Sequence, residues 1–206
     1  TDHDLPAAMG WLDVVPIAGD TQLIESTAVS ILERWRRAAR KRLPELLGSA
    51  KSRLGEFGRM AYSNQPDIKE SRGGLRDSVL VSALAASWLA DRPHGQYDDA
   101  VERLLDVRDC IHLVANKDTN MLLAPYQARV SAMLGLADPT LPSGEREAKS
   151  IDDLQTLLAL VARSRFRLIP RLLALSIRCL MRSLVLRFSR CSSLVAAVSV
   201  RRLRLM

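Results

Sequence analysis

Between Asp67 and Asp77 the chain reads Asp-Ile-Lys-Glu-Ser-Arg-Gly-Gly-Leu-Arg-Asp, a dense run of side chains able to do chemistry. Three cations, Lys69, Arg72 and Arg76, surround a glycine pair, with carboxylates at Asp67, Glu70 and Asp77 among them. Adjacent glycines let the backbone take positive φ or approach another group closely. Directly after them, Leu80, Leu84 and Trp88, with Val81 and Leu89 beside them, fall on one face of a helix expected over Leu75–Ala90. The turn is therefore expected at a helix N-terminus, where unpaired N–H groups and the positive dipole end favour an anion. Phosphate binding is the chemistry this pattern suggests. A plain turn within a solvated charged surface uses the same residues without a ligand.

The elements that must hold this turn read mostly as helix. Asp4-Leu5-Pro6-Ala7-Ala8-Met9 is a short helix start, with Asp2 or Asp4 near the cap and proline in the first turn. Leu12 to Ala18 reads as a strand closed by Gly19-Asp20. Thr21 to Gly48 is helical, with Pro44 kinking it or starting a new turn, and helix resumes over Ala50–Tyr62. Beyond the break at Asp91–Gly95, Tyr97–Asn116 is an amphipathic helix, Met121–Leu136 another, and Ser150–Val161 a third capped by Ser150. Leu80, Leu84, Trp88, Leu104, Leu105, Ile111 and Leu134 are expected to be buried together. His112, alone on an apolar stripe, reads as a satisfied core residue rather than a catalyst.

The net charge of +7 suggests an anionic partner until its location is considered. Residues 161–206 carry eleven arginines and no acid, so removing them leaves residues 1–160 at −4. The run Arg34, Arg36, Arg37, Arg40, Lys41 and Arg42 lacks interleaved aromatics and reads as a solvated helix face, with no nucleic acid as partner. Three cysteines, Cys110, Cys179 and Cys191, without C-x-x-C spacing, argue against a disulfide framework or structural zinc and for a cytoplasmic setting. No signal peptide is visible, and arginines interrupt every long apolar run, which disfavours a membrane span. From about residue 162 the composition shifts to Arg, Leu, Ser, Val and Ala. This basic tail is expected to be an out-of-frame or disordered segment. The alternative is an amphipathic helix on an anionic membrane, with Arg163, Arg167, Arg171, Arg178 and Arg182 on one face.

The stretch Pro66-Asp-x-Lys-Glu-x-x-Gly-Gly-Leu-Arg-Asp77 resembles the signature that follows the nucleotidyltransferase domain of bacterial PII uridylyltransferases, adenylyltransferases in some actinobacteria. Upstream, Trp11-Leu12-Asp13-Val14-Val15-Pro16-Ile17-Ala18-Gly19-Asp20 is similar to the family's Leu-Leu-Asp-x-Arg-x-x-Ala-Gly-Asp, with Val15 where the family has arginine. Downstream, Arg108, His112, Asp118, Leu123, Gln127 and Leu134-Gly135 follow its helical pattern. The likeness spans roughly residues 5 to 160. Glutamine synthetase adenylyltransferase carries a related signature, from which Leu75 and Asp77-Ser78 depart.

The resemblance implies a mostly α fold: a helical domain over 21–161, a remnant of an α/β nucleotidyltransferase domain over 1–20, and the tail over 162–206. It implies transfer of UMP or AMP from UTP or ATP to a tyrosine of the PII nitrogen-signalling protein, with Mg2+ held by three carboxylates. Asp13 matches the third of these and is the implied catalytic and metal residue. Lys69, Arg72, Arg76 and Asp77 are implied near the triphosphate or at a domain junction. The Ser-Asp-x-Asp pair expected upstream is missing, and Asp2-His3-Asp4 does not fit its spacing. This chain by itself is thus expected to retain no Mg2+ and to be inactive. A non-catalytic helical interaction module is the alternative.

Overall fold

The computed structural model describes residues 4–91 and 95–166, with side chains as far as 163, and shows helices joined by short turns. Among the described residues six α-helices run in order: α1 Leu5–Gly10, α2 Thr21–Phe57, α3 Leu75–Ala86, α4 Gln96–Ala115, α5 Ala124–Met133 and α6 Ser143–Phe166. Short 3-10 turns stand at Trp11–Asp13 and Met60–Tyr62. The mostly α fold is as the sequence indicates. The basic tail beyond Phe166 lies outside the described residues, and so do its expected membrane-facing arginines from Arg167 onward.

Asp4 caps α1, its carboxylate accepting the Ala7 N–H at 3.2 Å, with Pro6 in the first turn. The strand expected at Leu12–Ala18 does not form: Asp13 ends a 3-10 turn, and an irregular run leads to Asp20. Strands need a neighbouring edge for their backbone groups, and the described residues offer only two isolated bridges, both elsewhere.

Asp20 caps α2 by accepting the Leu23 N–H at 3.1 Å. The helix then runs through Pro44 without ending. An interior proline costs about 3 kcal/mol, whereas burying a leucine returns about 1.5–3 kcal/mol. Leu43 and Leu46, both buried beside Pro44, together outweigh it. The α2 helix stops at Gly58, whose φ of +64° suits glycine.

Among the described residues two large hydrophobic clusters and a small one, Val81 with Tyr97, hold the fold. One joins Leu5 and Met9 of α1, Trp35, Leu43 and Leu46 of α2, and Leu80 and Leu84 of α3. The other joins Leu104, Val107 and Ile111 of α4, Val130 of α5 and Leu154 and Leu158 of α6, around Met60 and Ile68. The residues expected to share one core are therefore divided between two, with Leu134 half-buried at the edge of the second.

Trp88 and Leu105 depart from that expectation. Trp88 is 76% exposed, because α3 ends at Ala86 and Trp88 sits beyond it at φ +59°. Its side chain thus leaves the helical wheel on which the spacing had placed it. The Arg36 guanidinium lies 3.8 Å from the Trp88 ring centroid, and its Nε donates to the Ala86 carbonyl at 3.0 Å. Leu105 is 41% exposed, on the wall of a cleft between α3 and α4. Ser150 does not start a helix: α6 begins at Ser143, and Ser150 is buried within it, facing the Ser131 hydroxyl at 3.0 Å. The same helix runs past the composition break and buries Ala162.

Candidate functional site

The signature stretch is a turn knotted by its own backbone. The Asp67 carboxylate accepts the Lys69 and Glu70 N–H groups, each at 2.8 Å. The Ile68 N–H donates to Asn120 O at 2.9 Å, and the Leu122 N–H to Pro66 O at 3.0 Å, tying the turn to the segment before α5. On its other side Arg72 N–H donates to Gly58 O at 2.9 Å and Arg72 O accepts Met60 N–H at 3.1 Å.

The N-terminal N–H groups of α3 are not open to an anion. Gly74 donates to Ser71 O at 2.8 Å, Leu75 to Ile68 O at 3.0 Å and Arg76 to Lys69 O at 2.9 Å. This overturns the expectation that unpaired N–H groups would cradle a phosphate: the turn curls back so that its own carbonyls satisfy them. A Cβ on Gly74 would lie 2.6 Å from Ile68 O, 2.8 Å from Ser71 O and 2.9 Å from Lys69 O, so the closeness of the carbonyls demands glycine. Gly73, at φ +93°, faces α6, where a Cβ would lie 2.8 Å from the Ala162 Cβ.

Asp77 is 5% exposed and serves this turn. Its Oδ2 accepts the Gly73 N–H at 2.8 Å, while its Oδ1 accepts from the Arg53 guanidinium of α2 at 3.1 Å. Arg53 was not singled out by sequence reasoning. It lies 24 residues before its partner, on a helix with many arginines, and no spacing rule marks it.

The side chains of Lys69 and Arg76 reach the cleft between α3 and α4, a space of about 540 Å³. Asp13 lines the same cleft, so the structure brings together three of the residues implied by the sequence. Arg108 of α4 joins them, its Nε donating to Asn120 Oδ1 at 3.1 Å, and Arg76 is braced by Glu70 at 3.1 Å. Asp98 and Glu102 line the same cleft, and the Tyr97 hydroxyl donates to Ser78 O at 3.4 Å. Arg72 and Asp77 do not line the cleft. Burial lowers the Arg72 pKa, repulsion from Arg59 adds to this, and Asp77 opposes it.

Asp13 is exposed, and the described residues hold no group of three His, Cys, Asp or Glu side chains placed to bind a metal. The described residues therefore do not fit a Mg2+ site. His112 Nε2 stands 3.4 Å from Asp118 Oδ1, away from the cleft lining. No helix among the described residues is long and apolar enough to cross a membrane.

The family model of the GlnD PII-uridylyltransferases matches residues 39–86 and 79–163, more than half of the chain. The chain belongs to this family. The matched residues include the whole signature turn, Arg53, Asp77 and Arg108, but not Asp13. Relatives described as bifunctional uridylyltransferase/uridylyl-removing enzymes come from Streptomyces coelicolor, 44% identical over 66% of this chain and 16% of its own length, and Mycobacterium tuberculosis, 40% over 66% and 18%. A third, from Corynebacterium glutamicum, is 35% identical over 76% of this chain and 23% of its own length. The chain thus matches about a fifth of the length of these relatives. No solved structure matches.

Proposed function

We propose that this chain is the helical segment of a nucleotidyltransferase that moves UMP from UTP, or AMP from ATP, to a tyrosine of the PII signal protein in the cytoplasm. In that reaction the tyrosine hydroxyl attacks the α-phosphate and pyrophosphate leaves. The observation that carries the reading is the convergence of Lys69 and Arg76 with Arg108 in one cleft of a chain whose relatives are uridylyltransferases. Lys69 supplies a mobile point charge and Arg76 a fork braced by Glu70, a pairing suited to phosphate oxygens. Arg72 and Asp77 act as scaffold for the turn, not as ligands.

A second reading, a helical module that docks a neighbouring domain or PII without touching nucleotide, is favoured by the three carboxylates, Asp13, Asp98 and Glu102, that line the same cleft. Calorimetric titration with UTP and ATP separates the two. The nucleotide reading expects weak binding that Lys69→Gln with Arg76→Gln removes while helicity is kept. Binding that survives the double variant, or none at all, leaves the docking reading. With radiolabelled UTP or ATP, Mg2+ and purified PII, this chain alone is expected to put no label on PII, because positioned charge supplies most of such catalysis and the described residues hold no carboxylate trio close enough together to bind a metal.

A further inference from the structure

A second open space lies where Asn64, just ahead of the signature turn, meets the start of α5 and the first half of α6. Its volume is about 490 Å³, within the roughly 300–1,000 Å³ of small-ligand sites. Two glutamines converge there on a single carbonyl. Gln127 Nε2 of α5 donates to Asn64 O at 2.6 Å and to Leu122 O at 3.5 Å, and Gln155 Nε2 of α6 donates to the same Asn64 O at 3.1 Å. A carbonyl only accepts, so each glutamine must turn its NH2 group toward Asn64 and its Oε1 away. Gln127 is 6% exposed, yet its Oε1 has no donor among the described residues. Nor is that oxygen one of the unpartnered polar atoms sealed from solvent, which are Arg53 Nε and His112 Nε2, so it opens into the groove that Gln127 lines. An amide oxygen on so buried a side chain calls for a donor.

Asp152 lines the same groove, with no ion pair or hydrogen bond from its side chain among the described residues, and no lining residue is a cation. Ala148 and Ile151 give it an apolar flank. The groups fixed in place are therefore acceptors, one of them a full negative charge, and they select a cation that carries several N–H donors. A guanidinium answers best. Its planar fork spreads five donors over separate acceptors, and it is more weakly hydrated than an ammonium, so it is more readily seated against a buried amide. We infer that this groove binds a guanidinium group on a short aliphatic chain, the fork shared between Gln127 Oε1 and the Asp152 carboxylate and the chain along Ala148 and Ile151. A free small molecule and an arginine side chain present the same chemistry. The inference is independent of the nucleotide reading, since no residue lines both this groove and the cleft between α3 and α4.

The test titrates the full 206-residue chain with n-butylguanidinium, and with n-butylurea as the neutral isostere, by calorimetry and proton–nitrogen NMR. Saturable one-to-one binding of the cation is expected, about fivefold tighter than the urea, the scale of a charge pair at an exposed rim. The side-chain NH2 signals of Gln127 and Gln155 are expected to shift along the same isotherm. Asp152→Asn, at an exposed position, is expected to erase the preference for the cation. Ala148→Lys, also exposed, puts a positive charge in the lining and is expected to abolish guanidinium binding with far-UV circular dichroism unchanged. Lys69→Gln with Arg76→Gln is expected to leave it intact. Acetyl-Gly-Arg-Gly-amide separates the two sources: binding at least as tight as that of butylguanidinium supports an arginine side chain, and weaker binding supports a free small molecule. Affinity for the urea equal to or above that for the cation, binding that survives Ala148→Lys, unmoved Gln127 and Gln155 signals, or no saturation by about 10 mM overturns the proposal.

Discussion

Replacing Gly74 with alanine tests whether the signature turn is held by its own carbonyls. At φ −85° and ψ −171° alanine meets no backbone strain, so the cost is purely spatial. The new Cβ falls 2.6–2.9 Å from three backbone oxygens, those of Ile68, Ser71 and Lys69. These same oxygens accept the N–H groups of Leu75, Gly74 and Arg76, so making room for the methyl stretches all three bonds. At about 1 kcal/mol net each, the loss is about 3 kcal/mol. Reduced freedom of the unfolded chain returns about 0.4–1 kcal/mol. A net destabilisation of about 2 kcal/mol is expected by urea unfolding followed at 222 nm. Gly73→Ala provides the contrast, because its Cβ meets a side chain, that of Ala162. Ala162→Gly should recover the steric part of that cost, about 1 kcal/mol of coupling, but not the part due to φ +93°. The same Ala162→Gly change should not rescue Gly74→Ala. A Gly74→Ala loss below about 0.5 kcal/mol, or its rescue by Ala162→Gly, would refute the account.

Asp77→Asn breaks a buried pair with Arg53, whose side chains are 6% and 17% exposed, and is expected to cost about 3 kcal/mol in the same assay. Arg53→Met with Asp77→Asn should cost less than the two single losses added, because neither charge is then left buried alone. Trp88→Gly is expected within about 1 kcal/mol of the parent, since relief of the positive φ offsets loss of the Arg36 contact; a loss of 3–5 kcal/mol would mean that Trp88 is core after all. In a Cys179→Ser, Cys191→Ser background, Cys110 is expected to alkylate more slowly than a free thiol at pH 8, because burial and then the Asp106 and Asp109 carboxylates raise its pKa. For Asp138, hydrogen bonds from Thr140 and the nearby Lys149 lower the pKa. Its contribution to stability is therefore present above the ordinary carboxylate range and lost as pH falls through the lowered value. Thr140→Val should shift the Asp138 titration upward by NMR.

Local chemistry is what the sequence by itself determined. Asp4 with Pro6 marks a helix start because a side-chain oxygen and a missing N–H both suit the first turn. The glycine pair marks the entry to α3 because a Cβ fits at neither position. Apolar spacing marks α4 because a 3.6-residue period aligns Leu104, Val107 and Ile111 toward one core. The likeness to PII uridylyltransferases was legible in the same turn, which lies wholly within the matched residues. Tertiary structure decided whatever depended on distant partners. Periodicity does not record where a helix stops, so Trp88 continued a face that the chain leaves at Ala86. A strand pattern at Leu12–Ala18 has no edge to pair with among the described residues. Pro44 lies inside α2 because buried leucines on either side outweigh its cost. Charge type alone could not divide the signature's cations and acid between cleft and buried interior. Folding buries Asp77 against Arg53 and turns Lys69 and Arg76 into the cleft with Asp13 and Arg108.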